Sequence, residues 1–200
     1  MTNILWFRND LRLYDNEAFS KAVDNDSVLL VYIYDRTLIK RDTVSSFHIE
    51  FIEESLNDLS DELKEKYAAT LNIYHSDTFD IFRDLLSRYR IKNVFSNRIF
   101  KEKSSQEIDK SCQSLFSSKG VKWIQCNQFG IQLKHRNRQT WAKDWRSFTS
   151  KKIKPTTNSP CEFINDNCHK LDNLTSFKKD NYLYRQNGGS KEAQKLLHSF

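Results

Sequence analysis

Apolar residues fall into two kinds of pattern along the chain. Five short runs, at residues 4–7, 28–34, 71–74, 93–95 and 121–126, predict β-strands. The second, VLLVYIY, is apolar without interruption, as in a strand buried on both faces of a parallel sheet, and is expected at the sheet centre. Between the runs the period lengthens to that of a helix. Phe47, Phe51, Leu56, Leu59 and Leu63 make one stripe, and Phe79, Phe82, Leu86 and Tyr89 a second. Ile108, Cys112, Leu115 and Phe116 make a third, closed by Lys119 and Gly120. A shorter helix over residues 18–23 follows Asp15 and Asn16, either of which can cap it. Strand and helix alternate four times. With right-handed crossovers the fold class is α/β, a doubly wound five-stranded parallel sheet of Rossmann-like type.

The periodicity stops near Lys151. Both prolines, Pro155 and Pro160, lie in a stretch rich in Asn, Asp, Ser and Thr that ends at Gly188 and Gly189, which reads as a linker or long surface loop. A helical pattern then resumes through Ala193, Leu196, Leu197 and Phe200, with Ser190 as its cap. Loops of that length are uncommon inside a compact domain, and a lone apolar helix after one has little to pack on. The chain is therefore expected to divide into an α/β domain (1–132), a basic segment and interdomain linker (133–189), and the first helix (190–200) of a helical domain whose remainder is expected to be missing.

With 38% hydrophobic and 13% aromatic residues the chain is too apolar to be disordered. No run approaches a membrane span and no basic start precedes an apolar stretch, so a soluble, cytoplasmic monomer is expected. Cys112, Cys126, Cys161 and Cys168 form no CxxC pair and read as free thiols, with Cys161–Cys168 the one pairing left open. The five histidines show no ligand spacing and none is assigned to metal or acid–base chemistry. Charge is the more informative quantity. The net charge is +6, yet residues 133–154 hold eight Lys or Arg against the single acid Asp144, so the whole excess is local. Such a stretch is either a solvated basic face or a surface for a polyanion.

In open α/β sheets ligands bind beyond the carboxyl ends of the strands. The loop after the first strand, Arg8 to Asn16, contains no glycine, which excludes both a dinucleotide fingerprint and a P-loop. Two arginines alternate there with two aspartates. Arg8 or Arg12 can hold a carboxylate or phosphate; alternatively Asp10 and Asp15 pair with them in a self-satisfied knot. Trp141, Trp145 and Phe148 follow helical spacing and are expected to form a buried packing stripe.

Residues 6–16, WFRNDLRLYDN, resemble the opening motif WFRxDLRxxDN of the photolyase/cryptochrome family. SSFHIEFIEESLNDL (45–59) resembles its second helix, residues 130–148 resemble a subgroup with a similar Trp, Arg and Trp pattern, and Arg185 to Gly189 the glycine-rich approach to its helical domain. The resemblance implies FAD in that missing helical domain and a pterin or deazaflavin antenna in this one. It implies blue-light-driven repair of pyrimidine dimers in DNA by the whole protein, or signalling by a cryptochrome. No catalytic residue is assigned within the chain, which is expected to be inactive alone. Arg8, Asn97, Arg98 and Lys101 are the antenna candidates; Lys101 stands where many members carry an acid, in NRRYEP. Arg136, Arg138, Lys151 and Lys152 are the candidates for DNA phosphates. A stand-alone α/β module that binds a nucleotide or a protein is the reading from a different class.

Overall fold

The computed structural model describes residues 1–24, 27–39, 41, 43–100, 103–130, 138–153, 161–167 and 185–199. All five runs are strands: β1 (Thr2–Phe7), β2 (Ser27–Tyr34), β3 (Asn72–His75), β4 (Ile91–Asn97) and β5 (Lys122–Cys126). Every pairing is parallel and the order is β3-β2-β1-β4-β5. The centre is therefore β1, and the VLLVYIY strand stands beside it. Unbroken apolarity reports that both faces of a strand are covered, a condition that β1 and β2 share; β1 is buried throughout, and β2 is buried from Val28 onward.

Alternate side chains sort to the two faces. Leu5, Phe7, Leu30 and Tyr32 pack with Phe19 of α1 (Glu17–Ala22) and with Leu56, Leu59 and Leu63 of α3 (Ser46–Tyr67). Ile4, Trp6, Leu29 and Val31 pack with Phe82 and Leu85 of α4 (Thr78–Arg88) and with Cys112 and Phe116 of α5 (Lys103–Ser118). A four-residue α2 (Arg36–Ile39) precedes α3. On α3 the inward line is Ile49, Ile52, Leu56, Leu59 and Leu63, an alternation of three and four. Phe51 falls off that line and is exposed, as is Phe79 on α4.

The expected core stripe on α6 (Arg138–Thr149) does not form. Among the residues of this helix whose side chains are described, none is buried; Trp141 and Trp145 are 60% and 43% exposed and Phe148 is half-buried. Four helices already cover the two faces of the sheet, so α6 has no sheet face left to bury.

Within the stretch that lacks periodicity, residues 161–167 are docked on the sheet. Phe163 bridges Val28, whose N–H donates to Glu162 O (2.8 Å) and whose C=O accepts from Ile164 N (2.9 Å). Asp166 closes the dock. Its carboxylate accepts from Tyr74 Oη (2.7 Å), Tyr89 Oη (3.2 Å) and both Arg88 Nη atoms (2.8 Å each), while its N–H donates to Asn72 Oδ1 (2.7 Å). Cys112, Cys126 and Cys161 are free thiols, and Cys168 lies outside the described residues.

The last helix, α7 (Ser190–His198), does find a support. Gly189, at φ 110°, takes the N-cap position expected of Ser190. Gly188 N donates to Glu54 Oε2 (2.7 Å), Lys191 N to Asp58 Oδ2 (3.2 Å), and Arg185 forks onto Glu54. A Cβ at Gly188 would lie 2.2 Å from Phe51 O, so only glycine allows this approach to α3. The contact is polar, and Leu197 stays exposed.

Because Asp166 is nearly fully buried and serves three side chains, Asp166→Ala should cost about 2 kcal/mol through the partners it strands. Thermal unfolding should show a fall in Tm of roughly 4–8 °C; an unchanged Tm would mean that residues 161–167 are not held by this carboxylate.

Candidate functional site

The strand order reverses between β1 and β4, whose carboxyl ends carry the loop of residues 8–16 and Asn97. The expected knot exists, but its wiring differs from Asp–Arg pairing. Asp10 is 1% exposed and accepts from Arg8 N (3.1 Å), Asn16 Nδ2 (3.3 Å) and Asn97 Nδ2 (2.6 Å). Arg12 donates to the carbonyls of Tyr14 (3.1 Å) and Asp15 (3.3 Å), around a turn in which Asp15 takes φ 50°. Asn16, not Asp15, caps α1, accepting from Phe19 N at 3.0 Å.

The guanidinium of Arg8 turns the other way. It lies 4.2 Å over the Trp6 ring and makes two hydrogen bonds, of 3.1 and 2.5 Å, to Asp109 on α5. Neither helical periodicity nor the loop motif singles out Asp109, which lies one hundred and one residues away. Burial, and then Asp109, pushes the thiol of neighbouring Cys112 up to about 12, so it stays protonated and unreactive at neutral pH.

Arg8 thereby becomes part of the wall of a cavity of about 230 Å³ at the carboxyl ends of β1 and β2. Trp6, Tyr34, Leu38, Val44, Ile49 and Ile108 supply much of the remaining wall. Asp35 fixes its shape. One carboxylate oxygen accepts from Thr37 N (2.9 Å), Thr37 Oγ1 (2.5 Å) and Leu38 N (3.3 Å), and the other from Thr78 N (2.9 Å), so a single side chain ties the first turns of α2 and α4. Burial raises its pKa, but the hydrogen bonds from Thr37 and Thr78 outweigh burial and leave it below 3.8.

Tyr34 is the unresolved element of this wall. Its Oη is buried and has no hydrogen-bond partner among the described residues. Burial, then the proximity of Tyr32 and Glu53, raises its pKa well above the ordinary tyrosine value, so the hydroxyl remains a neutral donor.

The other sequence candidates are dispersed. Asn97 lines a separate cavity of about 270 Å³ together with Arg12, Gln128, Lys151 and Lys152. Its Oδ1 is buried and unpartnered among the described residues. Arg98 is half-exposed past the end of β4, where its N–H donates to Cys126 O at 2.7 Å. Lys101 and Arg136 lie outside the described residues, and Arg138 is placed only as the first residue of α6. Lys151 and Lys152 are exposed just after α6, with Lys151 Nζ 5.4 Å from the centre of the Phe148 ring. A third and larger cavity, about 600 Å³, opens between Arg12, Phe47, Phe51 and the start of α7.

Polar loops over a strand-order reversal, beside a walled cavity, define an open α/β domain of doubly wound type, in which ligand sites fall at this edge of the sheet. The chain belongs to the photolyase/cryptochrome family: the model of the DNA photolyase family matches residues 3–150. It is 35% identical over 112 residues to a chloroplastic/mitochondrial cryptochrome DASH of Solanum lycopersicum, covering 52% of this chain and 19% of that one. It is 29% identical over 103 residues to a deoxyribodipyrimidine photo-lyase of Buchnera aphidicola, covering 48% and 21%. An archaeal photolyase from Sulfolobus tokodaii, solved with two FAD molecules, matches with a TM-score of 0.75 and 26% identity over 99% of this chain and 46% of its own. A Synechocystis cryptochrome shares the fold at a TM-score of 0.76 and 18% identity, over 100% and 46%. The chain thus spans about a fifth of the length of these curated relatives and under half of these solved structures. No helix among the described residues is long and apolar enough to cross a membrane.

A carboxylate whose folded pKa is depressed stabilises the fold above its ordinary value, and that contribution is lost as the pH falls through the folded value. Asp35→Asn should therefore cost about 1–2 kcal/mol at pH 7. In urea titrations the gap between the two proteins should close below pH 3.8; a gap independent of pH would remove Asp35 as the charged tie between α2 and α4.

Proposed function

We propose that this chain is the antenna-side domain of a photolyase-type flavoprotein that repairs pyrimidine dimers in DNA under blue light. The observation that carries the reading is the cavity beside β1 and β2 with the lone hydroxyl of Tyr34, in a chain whose family is that of the photolyases. About 230 Å³ is small for a ligand site and suits one planar ring system rather than a whole dinucleotide. A wall that is apolar over most of its area, edged by Arg8, Asp35 and Arg41, with a buried donor that lacks a partner, fits a conjugated heterocycle with a carbonyl or ring nitrogen, as a pterin, deazaflavin or flavin has. When bound, such a group supplies absorption in the near-ultraviolet or blue. The Sulfolobus tokodaii photolyase, solved with two FAD molecules and linked to a novel light-harvesting cofactor, supports a flavin as one candidate.

The chain's own residues have defined parts in this reading. Trp6, Leu38, Val44 and Ile49 exclude water from the ring, Tyr34 donates to it, and Arg8, fixed by Asp109, sets one wall. Asn97 and Arg98 stand at the neighbouring strand end and are less suited to the same ring. Lys151 and Lys152, with Arg136 and Arg138, position DNA through phosphates and do not read its sequence. The FAD that acts on the dimer, and the lesion site, belong in this reading to the sequence that the longer relatives have beyond the matched region. The signalling alternative rests on the cryptochrome names among the relatives.

Purified protein titrated separately with folate, a 5-deazaflavin and FAD should bind one of them, with Tyr34→Phe weakening binding roughly fivefold while leaving the unliganded protein as stable or more so. Val44→Trp should abolish binding by filling the cavity. Failure of all three ligands to bind would end the antenna reading. Expressed with its complete reading frame, the protein should clear thymine dimers from an oligonucleotide under blue light; bound, photoreducible FAD without repair would establish the signalling alternative.

A further inference from the structure

Trp141 and Trp145 on α6 form a stacked pair, with ring centroids 6.1 Å apart and planes inclined by 14°. Gly130 lies against the inner ring: a Cβ there would be 2.4 Å from Trp145 Cε3 and 3.3 Å from Phe148 Cδ1. Backbone, Trp145 and Trp141 thus make a short column whose outer member is 60% exposed. Single exposed apolar residues need no explanation, but two ordered indoles stacked at the surface are a different matter. Self-association is one way to cover them, and the surrounding charge argues against it. Lys143, Arg146, Lys151 and Lys152 are all exposed, and Asp144 is the one acid of the helix. Two copies brought together here would set these cations against each other.

The same charge suits a polyanion with flat apolar groups. Aromatic rings that extend a stack, beside cations that hold the backbone, are how proteins take up single-stranded nucleic acid. In a duplex the base faces are already occupied by neighbouring bases, so only unpaired bases can continue the column. Past the carboxyl end of α6, about 15 Å along the helix from Trp141, Lys151 and Lys152 join Arg12 around the cavity of about 270 Å³, whose wall also carries Asp15 and Glu17, the latter paired with Lys21. The three cations outnumber the two carboxylates, which makes this a place for a phosphate roughly two or three nucleotides along the strand from the stacked base. Lys143 and Arg146 add long-range attraction.

We infer that α6 is a stacking platform for unpaired bases of single-stranded DNA, with Trp141 as the receiving ring and Lys151, Lys152 and Arg12 as the phosphate contacts. This rests on the reading that the protein works on DNA, and extends it from phosphate positioning to base contact.

The test is a titration of the full chain with a ten-nucleotide oligo(dT), followed by quenching of tryptophan emission, with oligo(U) and an undamaged duplex as parallel arms. Oligo(dT) should quench, and Trp141→Ala should weaken binding roughly tenfold, as expected for the loss of one stacked base. Trp141→Phe should recover most of the affinity. Lys151→Ala with Lys152→Ala should lower the salt dependence of binding. Because Trp141 is exposed, its replacement leaves the fold intact, which the thermal transition checks. Equal affinity of wild type and Trp141→Ala for oligo(dT) would overturn the platform, as would a dimer that Trp141→Ala dissolves without any effect of oligonucleotide. Tighter binding of oligo(U) than oligo(dT) would overturn the assignment to DNA. Failure here with dimer repair intact in the complete protein would sink the platform alone; failure of both would sink the DNA reading as well.

Discussion

A parallel sheet whose inner strands carry apolar side chains on both faces has to be covered twice, and that requirement organises this molecule. α1 and α3 cover one face, α4 and α5 the other, and the chain must cross the sheet's carboxyl edge each time it passes from strand to helix. The polar loops are therefore collected along one edge, and the reversal between β1 and β4 spreads two of them apart. The cavity beside Tyr34 and the Asp10 cluster are both products of that geometry, one on each side of the end of β1.

Two carboxylates do most of the local fixing. Asp10 binds the loop after β1 to the end of β4 through amide donors, and Asp35 binds the end of β2 to two helix starts. Each spends nearly all its acceptor capacity on the protein itself, so neither is available to a ligand. Among the described residues three buried side-chain atoms have no hydrogen-bond partner: Glu50 Oε1 on α3, and Tyr34 Oη and Asn97 Oδ1 at the strand ends. Such atoms cost stability when unpaired, and the two at the strand ends lie in the walls of two different cavities.

The five strands were legible because burial on two faces leaves unbroken apolar runs, and the motif at residues 6–16 named the family outright. What escaped was set by partners distant in sequence. The motif singles out Arg8, yet its partner Asp109 sits on a helix whose pattern is fixed by Cys112 and Phe116. Phe51 and Ile52 are equally apolar, and only the alternation of three and four starting from Ile49 decides which faces inward. The tryptophans of α6 follow perfect helical spacing and remain outside, since periodicity describes one face of a helix but cannot count how many faces the sheet has left to offer. Residues 161–167 escaped for the opposite reason: their attachment runs through backbone and a single carboxylate, with no apolar period to reveal it.

That short attachment changes what the sheet presents to other molecules. β3 pairs with β2 only from Val31 onward, so on that side Val28 has no partner in β3, and Leu30 O is met by the side chain of Asn72 (3.0 Å) in place of a strand. An edge of this kind is a template on which a second chain can add a strand. Glu162 and Ile164 occupy the N–H and C=O of Val28, so the segment acts as a seal against edge-to-edge aggregation in a region whose composition suggests nothing more than a tether.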